Sequence, residues 1–571
     1  MNATASDNPK GARKRRGGGR KGLLAAIVLA TALVTVGVVA LLVNIFQHKQ
    51  EAQDTNFAVV QLDETVVDPA VWGKNFPLQY DMYKRTTDQQ RTKFGGSEAV
   101  PHVPEGADAR TTVAGQKLEK DPRLVQMWAG YAFATDYREK RGHAYMLVDQ
   151  RDTKRVNEFK QPGTCLNCHA SMAKVYKDLG NGDAKAGFDK INHMTYQEAT
   201  KLVDHPVACI DCHDPKTMQL RITRPAFQEG IKALKASQGV PNFDVNTQAT
   251  TQEMRSFVCA QCHVEYYFKG KDKTLTFPWA KGVNLDNEFA YYQEVGFTDW
   301  EHKTTGTPML KAQHPEFEMW NQGVHAKAGV TCADCHMPYT AVGAQKVSDH
   351  WVRSPMLNVN KSCQVCHHAS EDELKSRVET IQTRVATSRS QAFDGLTALI
   401  KDLEDAKKAG APEDRIVAAQ TWHRKASFYI DYVISENSTG FHAPEESIRY
   451  MQTATDAVRK GQLALLGKEK ADPTAAKAFQ MWKEKKAADA KAAAAGPKAP
   501  ATPAAAARRR PPRLADGIGG APHPTRCPSH TDQTASWGRG GLPVRGGPGP
   551  PSPATAGAQV RSIPAAVVYI L

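Results

Sequence analysis

The sequence predicts a mainly α-helical protein with an N-terminal membrane-crossing helix, long C-terminal helices, and a middle region whose interior is not filled by side chains alone. Three patterns predict it. Leu23 to Phe46 is a run of 24 residues, apolar except for two Thr and Asn44. Ten of the 11 cysteines fall in five C-x-x-C-H units between 165 and 367. From Glu371 onward, apolar residues recur at helical spacing.

The apolar run is long enough, at about 1.5 Å per residue, to cross a bilayer. It follows K-R-R-G-G-G-R-K, and such basic clusters stay cytoplasmic, which places everything after Gln47 on the outer side. A cleaved signal peptide is the alternative, but V-N-I-F-Q-H-K-Q offers no small-residue cleavage site, so an uncleaved anchor or signal is expected over 23–46. Charge argues against one class of partner. Residues 1–22 carry seven Lys/Arg against one acid and residues 497–571 nine against two, so +6 and +7 of the net +14 sit in the tails, leaving +1 between them. The charge of the folded part therefore makes no case for a nucleic-acid surface.

Residues 54–160 are mixed in character, and 165–367 show little regular periodicity, as expected where haems and not side chains alone fill the interior. Over 371–475 the chain reads as helix. Leu374, Val378, Ile381, Val385, Ala392, Leu396, Leu399 and Leu403 form a heptad-like stripe with one gap at Ser388. The stripe suits either packing within its own domain or a subunit interface. A-G-A-P-E-D at 409–414 interrupts it, and helical patterns resume from Ile416 to about Ser435 and after His442. Beyond 475 the chain turns Ala/Lys-rich, and 490–571 is rich in Pro, Gly and Arg with few large apolar residues. That composition cannot bury enough surface to fold.

The cysteine units are Cys165/Cys168/His169, Cys209/Cys212/His213, Cys259/Cys262/His263, Cys332/Cys335/His336 and Cys363/Cys366/His367; only Cys527 is left over. Two cysteines three positions apart can each add across one vinyl group of a single porphyrin, and the adjacent histidine then ligates its iron. Five such clamps imply five covalent haems. Zinc knuckles share the C-x-x-C spacing but seldom place a histidine directly after the second cysteine every time. What separates an electron wire from an enzyme is each iron's second axial position. A second histidine there makes an electron carrier, and an open position can take substrate. Of 19 histidines, 14 remain once the five proximal ones are removed, so counting alone cannot show which iron is open.

Specific strings go further. V-C-A-Q-C-H-V-E-Y-Y-F at 258–268, L-K-A-Q-H-P-E-F-E at 310–318, D-P-R-L-V-Q-M-W-A-G-Y at 121–131, R-G-H-A-Y at 141–145, V-T-C-A-D-C-H-M-P at 330–338 and F-H-A-P-E-E at 441–446 together resemble the ammonia-forming cytochrome c nitrite reductases. These are pentahaem, mainly α-helical dimers of the periplasmic side, and the resemblance runs in order from about Phe76 to about Arg459. It implies a pentahaem catalytic domain over 54–475. It also implies distal ligands for four haems: His143 opposite His263, His350 opposite His213, His325 opposite His367, and His442 opposite His336. The first haem, on His169, receives none, and in this family that iron does the chemistry. Most members carry C-x-x-C-K there, so His169 follows a minority variant.

The resemblance further implies a substrate pocket of Arg155, Tyr266 and His314. Arginine suits a small anion such as nitrite, and an imidazole can donate a hydrogen bond or relay a proton. It implies a calcium ion held by the Glu265 carboxylate, the Gln313 side-chain oxygen and the backbone carbonyls of Tyr266 and Lys311, all oxygen donors as a hard cation requires. The expected function is six-electron reduction of nitrite to ammonium on the outer face of the cytoplasmic membrane. The donor would be a quinol-oxidising multihaem membrane cytochrome or a soluble carrier. The alternatives are a non-catalytic electron-transfer cytochrome with five bis-histidine haems, and a reductase of the same fold acting on hydroxylamine or sulfite.

Overall fold

The computed structural model describes residues 19–54, 58–88, 90–96, 99–101, 112–343 and 345–494. Most of the basic N-terminal tail (1–18) and the C-terminal segment from 495, including Cys527, lie outside the described residues. Helix α1, Gly19–Asp54, contains the apolar run, and Gly22–Phe46 buries none of its side chains. It is long and apolar enough to cross a membrane, and its leucines and valines meet no protein.

The middle region is built from short helices and turns. Among the described residues, β-structure is confined to four two-stranded antiparallel sheets. Two of them shape the site. In one, Tyr267–Lys269 pairs with Thr274–Thr276; in the other, Trp300 lies opposite Met309 and so fixes the start of the 310–314 segment. The clamps themselves are brief. Leu166–His169, Cys209–Cys212 and Cys332–His336 are single helical turns, the third clamp begins at the end of Thr251–Ala260, and the fifth follows Val359–Ser362. Two of these start at reciprocal capping boxes, Thr250 with Glu253 and Thr331 with Asp334, which satisfy backbone N–H groups that so short a helix cannot satisfy itself.

One buried residue joins the first three clamps. Arg224 donates from Nε to the Asn167 carbonyl at 2.7 Å, from Nη1 to Asp211 Oδ1 at 2.8 Å, and from Nη2 to the Ala170 carbonyl at 2.9 Å. Its own backbone N–H donates to Gln261 Oε1 at 3.2 Å. Asn167, Asp211 and Gln261 are the second intervening residues of C-L-N-C, C-I-D-C and C-A-Q-C, and all are buried with Arg224. Burial works against the guanidinium charge, yet Asp211 holds its pKa above the ordinary arginine value.

The C-terminal part is a helical layer. Helix α2, Glu371–Lys408, starts at Ser370, whose hydroxyl accepts the Glu373 N–H, and carries Glu371, Asp372 and Glu373 in its first turn and Lys407 and Lys408 in its last, the charge order the helix dipole favours. It ends where Gly410 takes a positive φ of 70°, before Pro412. Helices α3, Glu413–Ser435, and α4, Pro444–Leu465, pack against it. Val378, Val385, Ala392, Leu396, Leu399 and Leu403 of the stripe are buried within this chain, while Leu374 and Ile381 stay half-exposed. Gly461 allows the close crossing, since a Cβ there would meet Leu399 at 2.8 Å. Helix α5, Pro473–Ala494, carries the fold past 475 and buries Ala475, Ala478 and Phe479. Its alanines and lysines are strong helix formers, and these inward residues give it a face to pack.

Two large buried clusters result. One lies under the C-terminal helices and includes Trp128, Tyr292 and Phe428; the other surrounds the first three clamps and includes Leu166, Phe227 and Trp279. Replacing Arg224 by alanine leaves Asp211 buried without its partner, so stability should fall by about 3–5 kcal/mol. Chemical denaturation of the haem-loaded protein checks this, and Arg224→Lys should restore little because its point charge cannot make the three-way fork.

Candidate functional site

Four imidazole pairs stand across from one another. Ring centroids are 6.4 Å apart for His143 and His263, 6.2 Å for His213 and His350, 6.3 Å for His325 and His367, and 6.4 Å for His336 and His442. An imidazole nitrogen lies about 2 Å from a bound metal, and the ring centre about 1.2 Å beyond it, so two rings sharing one iron sit roughly 6.4 Å apart. All four pairs have that spacing. The buried pair His302 and His423, at 5.1 Å, is too close to hold an iron between its rings. Among the described residues no second imidazole is paired with His169 at that spacing.

The other ring nitrogen of four of these histidines is also occupied. Nδ1 lies 3.0 Å from the Met146 carbonyl in His169, 2.9 Å from Met218 in His213, 3.1 Å from Arg353 in His336 and 2.8 Å from Ser348 in His350. An Nδ1–H donated to a carbonyl leaves Nε2 with its lone pair toward the metal and fixes the ring plane. Burial pushes the pKa values of His143, His169 and His336 down to about 4, which keeps these rings in the neutral form that ligates.

The ten clamp cysteines are all free of disulfides, as thioether attachment needs. The five clamps are not equally enclosed, however. Nine of the cysteines are half-buried, whereas Cys366 is exposed. Val365 beside it is 67% exposed, and His367 and His368 are exposed too. The reason is position. Cys366 lies in the turn between Val359–Ser362 and the start of helix α2, where Val365, Cys366, His367 and His368 are exposed in succession. Thioether attachment depends on the reach of the sulfur and not on its burial, and the His325–His367 spacing is the same as in the enclosed pairs. The residues present thus fit haem at every clamp, with the fifth at the protein's edge.

Beside the first clamp, Arg155 sits in the single turn Lys154–Asn157, capped by Thr153. Its Nε reaches Thr153 Oγ1 at 3.4 Å, and its guanidinium lies 4.3 Å from the centre of the Phe133 ring. Thr153 is in turn held by Asp136, whose Oδ2 accepts both the Thr153 hydroxyl at 2.9 Å and the Lys154 N–H at 2.8 Å. Burial pushes the Asp136 carboxyl upward, but hydrogen bonds from Gln116, Lys154 and Arg138 hold it below the usual carboxylate range. Tyr266 interacts electrostatically with Cys168, Cys165 and Arg155, and His314 with Lys140, Glu316, His263 and His169. Arg155 and Tyr266 are thus within electrostatic reach of each other and of the first clamp, and His314 lies within reach of both His263 and His169. Burial depresses His314 well below its ordinary pKa, so it is a neutral hydrogen-bonding group at neutral pH.

The 311–314 segment is clamped from helix α3. Asp431 accepts Lys311 Nζ at 2.8 Å and Ser435 Oγ at 3.1 Å on one oxygen, and the Ala312 N–H at 3.0 Å and Trp128 Nε1 at 3.3 Å on the other. Glu265 receives Tyr292 OH at 2.9 Å and the Gln313 N–H at 2.6 Å. The Gln313 amide meets the Lys311 carbonyl at 3.4 Å through Nε2, and a half-turn of the amide presents Oε1 instead. Burial raises the Glu265 pKa well above the usual carboxylate range, the situation an adjacent cation relieves. Among the described residues no three His, Cys, Asp or Glu side chains converge as a metal cluster; the donors here are one carboxylate, one amide and carbonyls.

Sequence reasoning missed Arg224, Asp136 and Asp431. The polar second position of the first three C-x-x-C units was the only signal available for Arg224; Asp136 lies in a segment with no pattern of its own, and Asp431 is a single polar residue within a helical pattern.

Free cysteine pairs followed by histidine, four imidazole pairs at iron-spanning distance and a largely helical frame define a multihaem c-type cytochrome. The chain belongs to the cytochrome c552 family, whose profile it matches over residues 68–508. It is 38% identical over 397 residues to cytochrome c-552 of Parabacteroides distasonis, covering 68% of this chain and 74% of that one. With cytochrome c-552 of Bacteroides fragilis it shares 34% over 448 residues, 77% of this chain and 85% of the relative. The catalytic subunit of cytochrome c nitrite reductase from Desulfovibrio desulfuricans superposes with a TM-score of 0.62 at 30% identity, over 72% of this chain and 88% of that chain; that protein has two calcium sites.

His350→Ala should convert one low-spin haem to high-spin, seen as a new charge-transfer band in the visible spectrum of the oxidised protein. An unchanged spectrum at full haem content would remove His350 as the partner of His213.

Proposed function

We propose that the protein is a pentahaem nitrite reductase that converts nitrite, six electrons and eight protons to ammonium and two waters, with the first clamp as the reaction centre. The reading rests on one observation above the rest: four clamp histidines face a second imidazole at iron-spanning distance, whereas His169 is paired with none at that spacing among the described residues and its clamp has Arg155, Tyr266 and His314 within electrostatic reach. The haems, when bound, supply one-electron steps and an open coordination position at the first iron.

The chain's own groups do the rest. Arg155, oriented through Thr153 and Asp136, offsets the charge of nitrite and of its more reduced forms. His314 donates a hydrogen bond to a nitrite oxygen and passes protons on as that oxygen leaves in water. The Tyr266 hydroxyl orients intermediates. Calcium, held by Glu265, Gln313 and the Tyr266 and Lys311 carbonyls, would tie the Tyr266 and His314 segments together. The similarity to the Desulfovibrio desulfuricans enzyme supports both the substrate and the ion.

Helix α1 would hold the catalytic domain on the outer, periplasmic face of the cytoplasmic membrane. That placement favours a quinol-oxidising multihaem membrane cytochrome as electron donor over a small soluble carrier. A homodimer fits the family resemblance, and the half-exposed N-terminal part of helix α2 is where its contact would fall.

With a reduced viologen as donor, the haem-loaded protein should yield one ammonium per six electrons consumed. Nitrite left unconsumed, or a product short of ammonium, would contradict the reading. Arg155→Ala should lower turnover by at least about tenfold, and an unchanged rate would remove it from the pocket. Glu265→Gln should lower the calcium content by one ion per chain, measured by elemental analysis, together with nitrite turnover.

A further inference from the structure

Four axial histidines present Nδ1 to a neutral carbonyl, but His442 does not. Its Nδ1 lies 2.6 Å from Glu436 Oε1, in a contact off the N–H axis and so electrostatic before it is a hydrogen bond. Glu436 is 1% exposed at its side chain. Its oxygens are also held by the Ser438 N–H at 2.9 Å, the Ser438 hydroxyl at 2.8 Å and the Gly440 N–H at 3.3 Å. These are dipoles without charge, and among the described residues no Lys or Arg nitrogen comes within 4 Å of the carboxylate. The other carboxylate near an axial imidazole is different. Glu316 Oε2 is 3.7 Å from His263 Nδ1, but Glu316 also faces Lys140 Nζ at 3.8 Å and takes a hydrogen bond from Asn437. Its charge is offset by a cation in direct contact, whereas Lys140 and Arg389 act on Glu436 only from a greater distance.

The surroundings hold this contact in place. Helix α3 ends at Ser435, and the turn through Glu436 to Gly440 is folded around the carboxylate. Ser438 Oγ accepts the His442 N–H at 2.9 Å, so the same turn fixes both partners. Gly323 packs directly on the His442 carbonyl and leaves no room for a side chain between them.

We propose that Glu436 lowers the reduction potential of the haem held by His336 and His442. A carboxylate against the outer nitrogen of an axial imidazole makes the ring a stronger donor, and a buried negative charge near the iron favours the ferric over the ferrous state. Low dielectric magnifies the second effect, and the cations that act on Glu436, Lys140 and Arg389, do so from beyond ion-pair distance. Glu436 touches the ligand and not the substrate, so its role is to tune the haem chain.

The inference rests on His336 and His442 sharing one iron, which is tested separately: His442→Ala should add one high-spin haem, and if it does not, the pairing has failed and not the tuning. The test of the tuning is Glu436→Gln in the haem-loaded protein, followed by potentiometric titration with visible and electron paramagnetic resonance detection. One low-spin haem should rise in potential while the others hold, at unchanged haem content. Midpoints that superpose on those of the parent protein overturn the proposal. If Glu436→Gln does not load haem, Glu436→Asp keeps the charge but draws it back, and a smaller rise in the same haem is expected; no rise overturns it. Ser438→Ala removes part of the turn's bracing without touching the charge. It should leave the potential where it was, and a shift as large as that of Glu436→Gln would assign the effect to the turn and overturn the proposal.

Discussion

The fork of hydrogen bonds from Arg224 is the constraint on which the arrangement of the clamps depends. A C-x-x-C-H segment is too short to fold by itself, since one helical turn leaves most of its backbone donors and acceptors unsatisfied. Here the polar residue between the cysteines in each of the first three clamps turns inward, and one buried guanidinium-bearing residue meets the backbone of the first, the carboxylate of the second and the amide of the third. Such a charge is costly to bury and tolerable only when every donor is used. Because of it, His169, His213 and His263 are set by a shared rigid centre, and their relation to one another does not depend on flexible loops.

The same logic repeats around each imidazole. Distal histidines come from far along the chain, His143 before the first clamp and His442 beyond the last, so each pair closes a long loop whose entropy must be offset by packing and metal bonds. Backbone carbonyls of Met146, Met218, Arg353 and Ser348 fix ring orientation at no charge cost. Where a carboxylate replaces a carbonyl, as at His442, orientation and redox tuning come together. Asp431 and Asp136 perform the parallel task for the pocket: one ties the 311–314 segment to helix α3, and the other sets the turn that carries Arg155.

Much of this was legible in the residues. The C-x-x-C-H spacing encodes covalent attachment directly, and the stripe from Val378 to Leu403 marks a helix that the structure buries within its own chain. The spacing does not encode enclosure, which is why five identical motifs gave no hint that Cys366 lies at the surface while the other nine cysteines are half-buried. The long helices fall where Pro, Gly and capping residues bracket them. The distal histidines were different, because an isolated histidine carries no periodic signal; only the family resemblance singled out His143, His325, His350 and His442. Arg224, Asp136, Asp431 and Glu436 were not legible. A polar residue inside a core is specified by partners distant in sequence, and a lone Asp in a helix such as α3 reads as a solvated face until its neighbours are known. Helix α5 was not legible beyond 475, because alanine-rich sequence reads equally as helix and as linker until Ala475, Ala478 and Phe479 find a surface to bury against.

The central claim is an asymmetry: four irons with two imidazoles each and one with His169 alone. It is tested most directly by quantifying spin states in the oxidised, haem-loaded protein by electron paramagnetic resonance, before and after nitrite is added. The account predicts four low-spin haems for each high-spin haem, with nitrite altering only the high-spin signal. Five low-spin haems and a spectrum indifferent to nitrite would contradict it.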